Sequence, residues 1–288
     1  MHNTIPKIAA VNGIVGFGRS SLAVTVPVVS AMGIQCCPVP TALFSNHPGF
    51  STFYKQDLTG QLPDYLNHWQ KLSLTFDGIL SGFLSSMEQI DLVRRLITEF
   101  STDNTKVIID PIMGDNGHLY SVYTKEMCEA MKGLAGLADI LTPNLTEACL
   151  LTDTPYHDGD WTDEELHTLL ERLKRYPAKQ IVVSGISSED FLINLIYEEG
   201  MGTTIQKQKK AGKERSGTGD VFAAIIACNA VLGVPFEDSV TQAGQFVRDA
   251  IIFTEEHHIP STDGVYFEPL LGRLANKKET NYEKSIGK

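Results

Sequence analysis

The 288-residue chain has only five cysteines, two of them the adjacent Cys36 and Cys37, and no Cys-x-x-Cys spacing. An odd count without ligand spacing excludes a disulfide framework or a zinc site, and it fits reduced, mostly buried thiols. Basic residues are also scarce: 24 Lys and Arg stand against 35 Asp and Glu, giving a net charge of −11. That balance excludes a nucleic-acid surface or an anionic membrane as the natural partner. No uninterrupted apolar run reaches the roughly 18 residues that a membrane span needs. The opening Met1-His-Asn-Thr-Ile-Pro-Lys7 has no signal-peptide layout. The expectation is a soluble, cytoplasmic protein. The phosphate-loop pattern G-x-x-x-x-G-K-[ST] occurs nowhere, so any nucleotide needs a different cradle. Gly13, Gly16 and Gly18 are spaced G-x-x-G-x-G, which is not the dinucleotide fingerprint, and no acid follows about 20 residues on. Internal repeats and linker-like segments are missing too. At this length and composition, one sizeable domain with a large core is expected.

What the chain does have is a run of alternating strands and helices. Apolar runs at Lys7–Asn12, Gln35–Val39, Gly78–Phe83, Val107–Asp110, Ile140–Thr142 and Ile181–Gly185 read as strands. Helical periodicity marks 20–32 (with Pro27 as a kink or boundary), 64–74, 86–100, 123–133, 161–175 and 236–254, and a helix follows Glu147. Segments 190–197 and 203–206 read as a hairpin turning at Glu-Glu-Gly-Met-Gly. This pattern predicts a single-domain α/β fold with a mostly parallel sheet, spanning residues 1–273, and a polar, fraying tail over 274–288.

The most telling stretch is Ser216-Gly217-Thr218-Gly219-Asp220, followed by Val221 to Val231 with almost no charge. A helix apolar on every face belongs in the interior. Its N-terminus, opening onto a glycine turn, offers free N–H groups and a positive dipole end, hence an anion site. Asp220 is placed to take a proton from an attacking hydroxyl. The same residues also suit an N-cap at Thr218 and a dipole-compensating acid at Asp220.

Other strand ends carry polar groups: Asn12, Asp110 with Asp115, and Asn144 with Glu147. Carboxylates near a phosphate-binding turn suit hydrated Mg²⁺. Asn144 and Glu147 also have the spacing of a helix capping box, and Asp110-Pro111 that of a strand-ending turn. The loop 41–54 is aromatic and carries His47, which suits either a ligand contact or self-packing. Lys207, Lys209, Lys210, Lys213 and Arg215 concentrate charge just before the glycine turn, so 198–215 is expected to be a mobile flap over a nucleotide.

Phe44-Ser-Asn-His47, Asp110-Pro-Ile-Met-Gly-Asp115, Leu141-Thr-Pro-Asn-Leu-Thr-Glu147 and Gly217-Thr-Gly-Asp220, in this order, resemble the pyridoxal kinase branch of the ribokinase-like kinases over residues 7–255. The resemblance implies a three-layer sandwich, helices on both faces of the sheet, with the site along one sheet edge. It implies transfer of the ATP γ-phosphate to the hydroxymethyl oxygen of a B6 vitamer. Asp220 would be the base, and the N–H groups of Gly217, Thr218 and Gly219 would stabilise phosphate charge. Asp110, Asp115 and Glu147 would act through Mg²⁺ and its waters. Thr142, Asn144 and Ser184 would lie near the phosphates or a K⁺ ion, with Lys213 and Arg215 also at the nucleotide. Asn12, His47 and Phe83 would line the pyridine pocket, and a homodimer is the family's usual assembly.

The chain departs from the family's common Ser, Tyr and Thr at Asn12, Phe83 and Pro48, which bears on substrate choice more than on the reaction. Hydroxymethylpyrimidine phosphorylation is the nearest alternative. An idle binder of pyridoxal phosphate would be expected to lose the acid at Asp220, and a nicotinamide oxidoreductase lacks its fingerprint. A sugar kinase would carry an added strand clasp before the first glycine helix.

Overall fold

The computed structural model describes residues 5–275. The chain begins β1 (Lys7–Val15), α1 (Leu22–Ala31), β2 (Gln35–Phe44), β3 (Lys55–Asp57), α2 (Leu62–Lys71), β4 (Gly78–Ser81) and α3 (Met87–Phe100). It continues β5 (Lys106–Ile109), β6 (Gly114–Asp115), β7 (His118–Leu119), α4 (Lys125–Ala135), β8 (Ile140–Leu141), α5 (Leu145–Thr152) and α6 (Asp163–Leu173). It ends β9 (Gln180–Ser188), β10 (Phe191–Glu198), β11 (Gly202–Lys209), α7 (Thr218–Leu232) and α8 (Phe236–Glu256), followed by 3₁₀ turns at Ser261–Asp263 and Glu268–Arg273.

Nine strands form one sheet in the order β11-β10-β9-β8-β5-β4-β1-β2-β3. The six from β9 to β2 are parallel; β10, β11 and β3 add antiparallel edges. Strands buried on both faces need apolar side chains in continuous runs, which is how these segments read. Neighbouring residues divide between the two faces. Ile8, Leu80, Ile108, Ile140 and Val182 pack with α1, α7, α8 and the C-terminal turns. Ala9, Ile79, Ile109, Leu141 and Val183 pack with α2 to α6. The result is the three-layer sandwich, and every residue of α7 from Val221 to Asn229 is buried.

Several expectations needed adjustment. β2 runs on to Phe44, past Pro38 and Pro40, because β3 joins it only from Ala42 and the prolines sit where that edge is unpaired. α1 continues through Pro27. The segment expected as a flap is, from Gly202 to Lys209, a strand paired along its length with β10. Its lysines at 207 and 209 are exposed on the sheet's outer edge, where charge discourages further pairing. Only residues 210–216 form a loop before α7. At the other end Leu274 is buried in the core rather than part of a tail, and 276–288 lie outside the described residues.

Among the described residues, no helix is long and apolar enough to cross a membrane.

Candidate active site

The C-terminal ends of the parallel strands open on one side of the sheet, where ligands gather in folds of this kind. Asn12 lies in β1 at an irregularity of the pairing with β2, and the Gly82-Phe83 turn follows β4. Asp110 follows β5, Thr142 and Asn144 follow β8, and Ser184 lies in β9. The first turn of α7 meets Asn12 and Asp110 through Asp220.

Gly217, not Thr218, caps α7, and no side chain caps it; the Thr218 hydroxyl donates instead to the Arg215 carbonyl at 2.9 Å. Gly217 has φ of 87°, and a Cβ there would come within 2.4 Å of the Arg19 carbonyl oxygen. Only glycine fits this turn. The Val221 N–H makes the first bond of the helix, to the Gly217 carbonyl at 2.9 Å. The N–H groups of Thr218, Gly219 and Asp220 precede it and are those a helix leaves for an anion.

Asp220 is held by both oxygens. Oδ1 accepts from the Asn12 amide nitrogen at 3.0 Å, and Oδ2 accepts from the Ser21 N–H at 2.7 Å. Burial raises its pKa, and the two donated bonds oppose the rise. Ser21 holds φ 56° and ψ −138°, a conformation that a residue with a side chain adopts at a cost of about 1–3 kcal/mol. The strain aims its N–H at the carboxylate. Sequence reasoning missed Ser21, since nothing in the letters of Gly18-Arg-Ser-Ser21 announces a backbone angle.

Asp110 is buried and accepts from the Thr142 hydroxyl at 3.1 Å. Its pKa is pushed up to about 8, by burial first and then by the Asp220 charge. Glu147 is buried as well and completes a true capping box with Asn144. Its Oε2 accepts from the Asn144 N–H at 2.8 Å and its Oε1 from the Met113 N–H at 3.2 Å. Burial and the Asp110 charge nonetheless hold its pKa well above the ordinary range. Asp115 is more open; its pKa is raised by desolvation and by Glu214. Tyr120 was also missed. Its phenol is pushed up by burial and by Glu147, Asp115, Asp110 and Asp220 together, which places it among these carboxylates.

Other expected contacts divide. The Asn144 side chain is spent on the Glu147 N–H and the Gly114 carbonyl, while its backbone bridges to Ser184. Phe83 meets Phe44 edge-on, ring centres 5.9 Å apart, beside the aromatic loop. His47 Nδ1 accepts from the Gly49 N–H at 3.0 Å, and burial lowers its pKa. A neutral ring with Nδ1 accepting leaves Nε2–H as a donor. Lys213 is exposed. Arg215 turns away from the turn, to Glu255 at 2.9 Å and the Ile259 carbonyl at 3.2 Å, with its side chain only 7 % exposed. It anchors the loop to α8.

Among the described residues, no three His, Cys, Asp or Glu side chains converge to hold a metal ion by themselves. The carboxylates of Asp110 and Asp115, both repelling Glu147, with Asp220 repelling Asp110, do fit a cation whose remaining ligands are water and phosphate oxygens.

A family model described as phosphomethylpyrimidine kinase matches residues 29–264. A pyridoxine/pyridoxal/pyridoxamine kinase of Bordetella avium is 27 % identical over 260 residues, covering 86 % of this chain and 85 % of the relative. A provisionally assigned phosphomethylpyrimidine kinase of Bacteroides thetaiotaomicron superposes with a TM-score of 0.91 at 34 % identity, covering 95 % of both chains. An orthorhombic form of it, with pyridoxal, gives a TM-score of 0.88. The pyridoxal kinase of Lactobacillus plantarum superposes with a TM-score of 0.86 at 27 % identity, covering 94 % of this chain and 97 % of its own.

Proposed function

The chain belongs to the phosphomethylpyrimidine kinase family, on its pyridoxal kinase branch, and from that premise we propose that it transfers the γ-phosphate of ATP to the hydroxymethyl oxygen of a B6 vitamer. The observation that carries this reading is Asp220, fixed by two hydrogen bonds at the first turn of a helix whose N-terminus is free to bind phosphate. The acceptor hydroxyl loses its proton to Asp220 as its oxygen bonds the γ-phosphorus and the bond from that phosphorus to the β,γ-bridging oxygen breaks, releasing ADP. The N–H groups of the first turn and the dipole of α7 take up charge on the phosphates. Asp110 and Asp115, with Glu147 behind them, would hold Mg²⁺ through its waters. When bound, the ion offsets phosphate charge. Glu147 fixes Met113 and Asn144 by accepting one backbone N–H on each oxygen, and its remaining lone pairs would accept from the ion's waters. His47 would offer its Nε2–H to the vitamer, and Phe83 a ring edge.

The pyridoxal-bound relative favours a pyridine over a pyrimidine acceptor. The test is ATP consumption with pyridoxal, pyridoxine, pyridoxamine and hydroxymethylpyrimidine in competition. Turnover should be greatest with a B6 vitamer. Preference for the pyrimidine would reverse the assignment, and no consumption with any acceptor would remove the kinase reading.

A further inference from the structure

Asn12 stands where the family resemblance placed a pyridine contact, yet its amide is almost wholly occupied. It is 5 % exposed. Oδ1 accepts from the Gly13 N–H at 2.8 Å and the Phe83 N–H at 3.1 Å, which fills both lone pairs. Nδ2 donates to Asp220 Oδ1, 208 residues away in sequence, and retains one further hydrogen. Gly82 makes room for the amide, since a Cβ there would lie 2.4 Å from Nδ2. The accepted bonds fix the amide plane and thereby the direction of the remaining N–H. With Oδ1 turned to the backbone, Nδ2 is the only end that can face Asp220.

Resting on the kinase reading, we propose that Asn12 is a positioning residue for Asp220 rather than a ring contact. It joins β1, the Gly82-Phe83 turn and the first turn of α7 into one unit, and with Ser21 it holds the carboxylate from two sides. Ring recognition then falls to other groups, the His47 Nε2–H being the remaining side-chain donor of the expected set. A shorter side chain such as serine cannot span from the two backbone N–H groups to Asp220, so this arrangement belongs to asparagine at this position.

Asn12→Asp keeps the acceptor for Gly13 and Phe83, removes the donation to Asp220 and sets a second carboxylate against it. It should lower kcat about 10- to 100-fold, as small misplacements of a reacting group do, while leaving the KM for the vitamer within about 2-fold. Asn12→Ser should give the same split and serves if the aspartate variant does not fold, as judged by its melting curve. In an Asp220→Asn background, either change should lower kcat by less than about 3-fold, because the group being positioned has gone. A raised KM with kcat retained would make Asn12 a ring contact and overturn the proposal. Equal losses in both backgrounds would also overturn it, leaving the kinase reading intact. A wild-type protein without turnover on any acceptor would overturn both.

Discussion

At Asp220 the same side chain could cap charge at a helix end or move a proton, and the two roles separate by substitution. Asp220→Asn keeps its size and can still accept from Ser21, but it loses the Asn12 bond, since its NH₂ faces that donor, and it cannot take the hydroxyl proton. Turnover should fall about 10²- to 10⁴-fold, with ATP affinity and melting temperature nearly unchanged. Near-normal turnover with a lowered melting temperature would assign it to the helix dipole alone. Asp110 makes a prediction about pH. Its pKa is raised from the usual 3.8 to about 8 in the folded chain, so between those values the folded form holds a proton that the unfolded form has released. Stability from this group is full below pH 3.8 and is lost as pH rises through about 8. Asp110→Asn should therefore raise the melting temperature of the ligand-free protein more at pH 8 than at pH 5. An equal shift at both values would contradict the assignment. The sequence shows that Asp110 and Asp220 are acids in suitable patterns. It does not show Ser21 at φ 56°, nor the Asn12 contact with Asp220, because neither leaves a local signature.

At the scale of elements, the glycine turn should respond differently at its two glycines. Gly217→Ala puts a Cβ against the Arg19 carbonyl and forces a residue with a side chain into the left-handed region, a cost of about 1–2 kcal/mol before the clash. Both melting temperature and kcat/KM should drop. Gly219 is exposed, and nothing lies within 4 Å of where its Cβ would stand. Gly219→Ala should keep or raise the melting temperature, as alanine does within a helix, and raise the KM for ATP by blocking approach of the phosphates. An unaltered KM would move the phosphates away from this N–H. The neighbouring hairpin yields a second test, by hydrogen exchange. The β11 amides bonded to β10 should be protected without nucleotide, and ATP should add protection over 210–216 only. Protection gained across 202–209 would restore the longer flap. Central strands such as β5 and β9 were legible because burial on both faces demands apolar runs. β3, β6 and β7 were not, since two or three residues cannot display a period.

For the molecule as a whole, one α/β domain with a mostly parallel sheet followed from alternating strands and helices and the sandwich from the family resemblance, while the charge balance carries a separate consequence. The net charge of −11 opposes the approach of an anionic nucleotide, although the site's own attraction comes from backbone N–H groups and the α7 dipole. Arg215, the cation nearest the turn in sequence, gives Nη2 to Glu255 and Nη1 to the Ile259 carbonyl, its Nε staying buried without a partner among the described residues. Long-range repulsion is screened over about 10 Å at 0.1 M salt, whereas short-range contacts to a bound phosphate are screened much less. Raising ionic strength from about 0.02 to 0.15 M should therefore increase kcat/KM for MgATP, by about 3-fold or less. The salt should be tetramethylammonium chloride, so that no K⁺ effect enters, with free Mg²⁺ held constant. Arg215→Ala should leave this dependence unchanged while loosening the 210–216 loop. A fall in kcat/KM with salt would mean that attraction dominates the encounter, and would direct attention to Lys213 and its exposed lysine neighbours as the groups that guide the nucleotide in.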